Sequence, residues 1–187
     1  VARGPMSPIA LQLHAQLGYL QLRRDKIDEA IEYLVTVKNG LEQLNKEKKI
    51  PPIMSLEAAY ILAIAHMRRS ETRNCCQRNS PESCLLPIKG RGVHTDQEDS
   101  KQAIKYFMQV LQNSQPDSVY FLKAKWLLNI MYMTIARYPD DVPKKHLIQP
   151  SVFKSDEPFP KFVNIASKLG LNTFGLAGGA IVDDFTG

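Results

Sequence analysis

No apolar run in this 187-residue chain approaches the roughly 18 to 20 residues that cross a bilayer as a helix. The best candidate, Ala58 to Ala65, leads straight into His66, Arg68 and Arg69, so no transmembrane segment is expected. Cysteine is scarce, with three residues, and histidine adds four. A zinc site needs four ligands, usually as two closely spaced pairs. Cys75, Cys76 and Cys84, with His66 and His94 nearby, do not make that pattern. A phosphate-binding loop is missing too. Gly175-Leu176-Ala177-Gly178-Gly179 lacks the Lys-Ser/Thr ending and opens no helix, so it reads as a tight turn before a strand. Nor is there a gathered basic face. A net charge of +5 and a pI near 9.1 would suit an acidic partner. However, Arg23-Arg24, Lys46 to Lys49, Arg68-Arg69 and Lys144-Lys145 are scattered beside Asp25, Glu47, Glu71 and Asp141. Nucleic-acid binding, which needs a basic stripe with stacking aromatics, is not expected. The chain opens Val1-Ala2-Arg3-Gly4-Pro5, with neither an initiator Met nor an apolar leader core, so its start carries no address.

What remains is an ordinary globular composition, 44% hydrophobic and 23% charged, of a length that suits one domain or one domain plus a fragment. From Pro8 to about Leu22, Leu13, Leu17 and Leu20 recur at helical spacing, with Ala10 and Gly18 close to that face. After Arg24-Asp25-Lys26, a second helix carries Ile27, Ala30, Ile31, Leu34, Val37, Leu41 and Leu44 on one stripe, and the pair forms a hairpin. Asn39-Gly40 is a place for that helix to bend, since a mid-helix Gly costs about 1 kcal/mol against Ala. A third helix follows Pro51-Pro52 and runs from about Met54 to Arg69, burying Ala58, Ile61, Leu62 and Ala65. A fourth carries Ala103, Ile104, Phe107, Val110 and Leu111. The fifth restarts at about Ser118 and is apolar nearly all round, so a downstream segment is expected to cover it. That segment is Pro-rich from Pro139 to Pro160, with Phe153, Phe159 and Phe162 as its anchors. The end of the chain is Gly-rich and holds one strand-like run, Ala180-Ile181-Val182, which has no ladder partner here. Asp183 and Asp184 could begin an oxygen-ligand calcium loop.

Hairpins of this kind match the 34-residue tetratricopeptide period. Gly18 takes the small position of a first helix, Leu17 precedes it and Ala30 follows twelve residues on. Gln21 stands where Tyr is usual. A second repeat shows Ala103, Phe107 and Pro116. Between the two lies a long polar insertion, residues 70–96, where helical hairpins normally need about 2 to 8 residues. Its cysteines admit several readings. A Cys84 and His94 dyad would be a nucleophile in search of an orienting acid. A bridge from Cys75 or Cys76 to Cys84 closes a loop of about ten residues and is worth roughly 2.5 to 3 kcal/mol in the chain-entropy model. Such a bridge would hold the insertion in place, but only in an oxidising compartment.

The run Asn74-Cys75, Glu82-Ser83-Cys84-Leu85-Leu86-Pro87-Ile88, Gly92-Val93-His94 and Ala103-Ile104-Lys105-Tyr106 resembles the N-terminal region of bacterial proteins of the cartilage acidic protein type. These proteins carry FG-GAP (VCBS) repeats and a C-terminal ASPIC/UnbV domain. Trp126 to Tyr132, Tyr138-Pro139 and Val142-Pro143 look like the continuation of the pattern. Phe162 to Ala166, Gly170-Leu171 and Gly178-Gly179 to Asp183-Asp184-Phe185 look like the entry into a first FG-GAP repeat. The resemblance covers about residues 15 to 187. It implies an all-α, tetratricopeptide-like α-solenoid over residues 1–139, with residues 140–187 as an extended linker and the start of a β-propeller repeat. It implies an exported protein, periplasmic, on the outer surface or extracellular, with an interaction role and no enzymatic activity. In that setting Cys75 is preferred to Cys76 as the partner of Cys84. Calcium would belong to the downstream propeller; Asp184 is the one candidate ligand here, and Thr186 stands where an acid or amide is common. No cofactor is otherwise expected.

The expected function is thus binding of a protein or peptide on the concave face that first helices line in such repeats, with an intramolecular contact to the propeller. On this alignment Gln12, Tyr19, Arg23, Lys123 and Trp126 are the candidate contacts, while Leu22, Ile130 and Met133 belong to the core. Two alternatives share the sequence: a cytosolic tetratricopeptide adaptor with reduced cysteines, and an enzyme accessory domain using Cys84 and His94.

Overall fold

A computed structural model of the protein describes residues 7–46, 51–154, 163 and 165–171. Contacts divide the chain into residues 1–157 and 158–187. The described part of the second unit holds a 3-10 turn, Ala166–Leu169, closed by Gly170 at φ 70°. The first unit carries five α-helices: α1 (Pro8–Arg23), α2 (Ile27–Lys46), α3 (Pro52–Glu71), α4 (Glu98–Asn113) and α5 (Val119–Thr134). Among the described residues there is no strand. The expected run Ala180 to Val182, Asp184, and the anchors Phe159 and Phe162 lie outside the described residues.

Helix starts follow the local chemistry. Ser7 caps α1 by accepting from the Ala10 N–H at 3.2 Å, with Pro8 in the first turn, and Ser118 caps α5 by accepting from the Phe121 N–H at 3.3 Å. Each helix packs chiefly on its neighbours in sequence, and α1 also meets α3, as α3 meets α5. The buried stripe of α2 is the one its period implies, Ile27 through Leu44. Leu34, Leu62, Phe107, Leu128 and Met131 join α2, α3, α4 and α5 in one core, and a smaller cluster of Leu11, Val37, Leu41, Leu44 and Ala58 seats α1.

Two expectations need correction. On α1 the buried residues are Leu11, Gly18 and Leu22, whereas Ile9, Leu13, Leu17 and Leu20 stay exposed. At 100° per residue the two sets lie on nearly opposite sides of the helix, so α1 has two apolar stripes and its period alone cannot say which one packs. Glycine decides it. A Cβ at Gly40 would lie 2.5 Å from Leu11 Cδ2, and one at Gly18 would lie 3.0 Å from Leu34 Cγ. The close approach of α1 to α2 therefore runs through Gly18 and Gly40, and the helix continues unbroken past Asn39-Gly40. The second correction concerns the insertion. α3 does not stop at Arg69 but runs to Glu71 and on into a π-helical turn, Thr72–Cys76. Cys75 and Cys76 therefore sit on a helix end, and the irregular segment begins at Gln77.

The described part of the Pro-rich segment, to Lys154, packs on α5, as its all-round apolarity implies. Phe153 packs on Trp126 and Tyr138, with centroids 5.5 and 5.9 Å apart, and Phe121 meets His146. The buried amide of Asn129 fastens the crossing. Its Nδ2 donates to the His146 carbonyl at 2.9 Å, and its Oδ1 accepts from the Ile148 N–H at 3.0 Å.

Candidate functional site

The insertion is held by polar contacts at both of its ends. Asn74, buried on the π-helical turn, donates through Nδ2 to the carbonyls of Ser70 and Asp96, both at 2.9 Å. Its Oδ1 accepts from the Thr95 N–H at 2.9 Å and the Asp96 N–H at 3.0 Å. Arg78 donates to Thr95 Oγ1. Within the insertion, Glu82 Oε2 accepts from the Arg91 N–H at 2.5 Å, and a Cβ at Gly92 would lie 2.5 Å from the Glu82 carbonyl oxygen. The order that a disulfide was expected to supply comes from this network. Cys75, Cys76 and Cys84 are free thiols.

Behind the clamp sits a buried carboxylate. Asp99, in the first turn of α4 and 1% exposed, receives His66 Nδ1 at 2.8 Å, Arg69 Nη2 at 2.7 Å and Nε at 2.9 Å, and Arg73 Nη1 at 3.1 Å. Arg69 also reaches Asp28 of α2 at 2.6 Å. Burial works against the charge on Asp99, but the hydrogen bonds from His66 and Arg69 win and hold its carboxyl down at about 2. This cluster ties α2, α3 and α4 together at the end where the insertion leaves.

One residue further along both helices, a second polar group is assembled. Ser70 Oγ lies 2.7 Å from Ser100 Oγ and 2.7 Å from His94 Nδ1, and His94 Nδ1 lies 3.0 Å from Ser100 Oγ. Thr134 Oγ1, at the end of α5, donates to Ser100 Oγ at 3.0 Å. The His94 N–H donates to the Thr134 carbonyl at 2.8 Å. The imidazole is buried, and burial pushes its pKa down to about 4 against the pull of Asp96, so it is neutral near pH 7.

The other ring nitrogen, His94 Nε2, faces Cys75 Sγ at 3.3 Å. Cys84 borders the same cavity as Cys75 and His94. The neighbouring Cys75 thiol holds the Cys84 thiol down at about 7, against burial and the nearby Glu71 carboxyl. Cys75 itself is pushed up, first by Cys84 and then by burial. Cys84 is exposed and its backbone sits at φ 61°, a left-handed conformation that costs a non-Gly residue free energy. The thiols and the imidazole open on a cavity of about 180 Å³ whose walls include Leu86, Ile88, Ile130, Met131 and Glu71. Among the described residues no group of His, Cys, Asp or Glu is arranged to hold a metal ion.

Of the expected dyad, His94 is in place, but its sulfur neighbour is Cys75 rather than Cys84. The π-helical turn carries Cys75 back over Ser70 and so toward the imidazole. Ser70, Ser100, Thr134 and Asp99 were not anticipated. The expected concave-face contacts Gln12, Tyr19, Arg23 and Lys123 are all exposed. Trp126 is 39% exposed and its indole packs on Phe153, so part of its face is used within the chain. Ile130 lies half-buried at the cavity, and Leu22 and Met133 are buried. Fold and site together define an all-helical protein with a dithiol and imidazole cavity at the end of its third helix. No family model, no curated protein and no solved structure matches the chain.

Proposed function

We propose that the chain is a protein-interaction module, a stack of tetratricopeptide-like hairpins whose first-helix layer takes a protein or peptide segment. The observation that carries this reading is the apolar stripe of Ile9, Leu13, Leu17 and Leu20 on α1, each between 42% and 73% exposed. Isolated exposed leucines need no explanation, but four aligned on one helix face form a surface of the kind that takes an apolar segment. Gln12, Tyr19 and Arg23 flank the stripe on one side, and can supply hydrogen bonds that set register. The contacts of α1 with α3, and of α3 with α5, support a common layer that would bring Lys123 and Trp126 into the same surface. The likeness to FG-GAP repeat proteins extends the proposal. On that reading the module is exported and the segment after the helices leads into a propeller.

The test is selection of displayed random peptides on the immobilised chain, followed by titration against a Leu13→Asp, Leu17→Asp double variant. The expected winners carry apolar residues at helical spacing, and the variant, with unchanged circular dichroism, binds them at least about tenfold more weakly, since each lost buried Leu is worth roughly 1.5 to 3 kcal/mol. Failure to select any binder, or binding indifferent to the variant, would overturn the reading.

A further inference from the structure

Three chemical groups converge in the cavity at the end of α3, and the interaction surface uses none of them. Cys84 is exposed, Cys75 is half-buried and borders the same cavity, and His94 Nε2 lies 3.3 Å from Cys75 Sγ. The series accessible thiol, second thiol, imidazole is the order of groups that a two-step exchange requires. We propose that Cys84 and Cys75 form a thiol–disulfide exchange site, in which Cys84 attacks a disulfide with an apolar arm and His94 accepts the Cys75 proton as the second thiol releases the product.

The steps balance. The Cys84 thiolate attacks one sulfur of a substrate R–S–S–R′, forms Cys84–S–S–R and expels R′S⁻, which takes a proton from solvent. Until then the Cys75 thiol proton serves Cys84, and once Cys84 is in the mixed disulfide that proton can turn to His94 Nε2. His94 takes it, the Cys75 sulfur attacks Cys84 Sγ, the bond from Cys84 to SR breaks, and RS⁻ leaves with the proton that His94 returns. Two electrons pass from the two cysteines to the substrate, which becomes two thiols. The protein is left with a Cys75–Cys84 disulfide, and a second dithiol restores it by the reverse path.

The surroundings fit the roles. Ser70 Oγ and Ser100 Oγ, 2.7 and 3.0 Å from His94 Nδ1, can receive the hydrogen of that nitrogen, which leaves Nε2 free to accept. Burial keeps the ring neutral near pH 7, so the Nε2 lone pair is open to the Cys75 thiol 3.3 Å away, although the same burial makes it a weaker base than a free imidazole. The neighbouring Cys75 thiol lowers the pKa of Cys84 and so favours its thiolate, the group that must attack. Leu86, Ile88, Ile130 and Met131 give the substrate an apolar wall, whereas Glu71, which also lines the cavity, disfavours a substrate with a carboxylate at that position. Cys76 has no part in the sequence, as it is not among the residues that line the cavity.

The test uses a Cys76→Ser background and an uncharged aromatic disulfide, 4,4′-dithiodipyridine, as substrate, in keeping with the apolar wall and the Glu71 carboxyl. The background protein is expected to release both thiolate equivalents and to end with no adduct, its mass lower by two hydrogens. Adding Cys75→Ser should trap one stable adduct on Cys84, and adding Cys84→Ser should slow the first release. Adding His94→Gln should leave the first release unchanged and slow the second by about tenfold or more, the scale of general-base assistance. An unaltered first release also reports that this variant is folded around Cys84. If His94→Gln unfolds the chain, adduct trapping by Cys75→Ser still decides whether the pair closes. Two retained adducts without ring closure, or a second release indifferent to His94, would overturn the proposal.

Discussion

Replacing Asp99 by Asn tests the electrostatic frame of the site. The carboxylate is 1% exposed and accepts four hydrogen bonds, two from Arg69 and one each from His66 and Arg73. An amide keeps the shape but offers one acceptor oxygen, and it turns N–H donors toward guanidinium donors. Arg69 keeps its contact with Asp28 but loses its buried counter-charge. Breaking one side of a buried pair costs about 3 to 5 kcal/mol, a large share of the roughly 5 to 15 kcal/mol that holds a domain folded. The pH dependence isolates the charge. With the Asp99 carboxyl at about 2 instead of its ordinary 3.8, the folded state binds its proton less readily than the unfolded chain. The resulting stabilisation is fully present above about pH 4 and is lost as pH falls toward 2; the shift corresponds to about 2 kcal/mol. Urea midpoints of the original and Asp99→Asn proteins should differ by a constant amount from pH 7 to about 4, and that difference should shrink by about 2 kcal/mol below it. The lowered His94 pKa produces its own loss between about 6.5 and 4 in both proteins, so it cancels from the comparison. A difference that stays flat down to pH 2, or a variant within about 1 kcal/mol of the original at pH 7, would show that Asp99 is not held by these partners.

Two further substitutions probe the clamp and the cover of α5. Asn74→Ala strips partners from the Thr95 and Asp96 N–H groups and from the Ser70 and Asp96 carbonyls. It should cost about 3 kcal/mol and open the insertion to trypsin at Arg78, Lys89 and Arg91 well before the helices are cut; an unchanged cleavage rate would refute the clamp. His146 is 3% exposed and neither ring nitrogen has a hydrogen-bond partner. His146→Phe, beside Phe121, should therefore raise stability by about 1 kcal/mol at pH 7. The gain should grow toward pH 5, because burial lowers the pKa of His146 and the unfolded state gains more from its protonation. A less stable variant in urea would contradict an unpartnered ring.

The helices were readable because their information is periodic. Ile27 to Leu44 repeats one face often enough that no other structure accommodates it, and the all-round apolarity of α5 foretold the covering segment anchored at Phe153. The α1 stripe shows the limit of that logic. The exposed face, with Ile9, Leu13, Leu17 and Leu20, is richer in large apolar residues than the buried one with Leu11 and Leu22, and the choice depends on Gly18 and Gly40, small residues that signal weakly until Leu11 and Leu34 are seen against them. The site residues carry no period at all. Asp99 reads locally as an ordinary first-turn acid, and only the partner His66, thirty-three positions away, makes it a buried anion. His94 can be singled out beside the cysteines, but the sequence pairs it with Cys84 whereas the fold gives it Cys75. The π-helical turn that rotates Cys75 into place has no signature in sequence.

The two buried clusters are consequences of a single helix pairing. Arg69 and Ser70 are consecutive on α3, as Asp99 and Ser100 are on α4, so the alignment that brings Arg69 to Asp99 also brings Ser70 to Ser100. His94 is then fixed from both sides by those serines and by the Thr134 carbonyl, and Cys75 meets it because α3 continues past Ser70. The thiols are thus positioned by non-covalent contacts of their neighbours and not by a bond between them. A structural disulfide would have made Cys75 and Cys84 the cause of the order in the insertion, and its reduction would release the loop. Here the order has other causes, the contacts of Asn74 and Glu82.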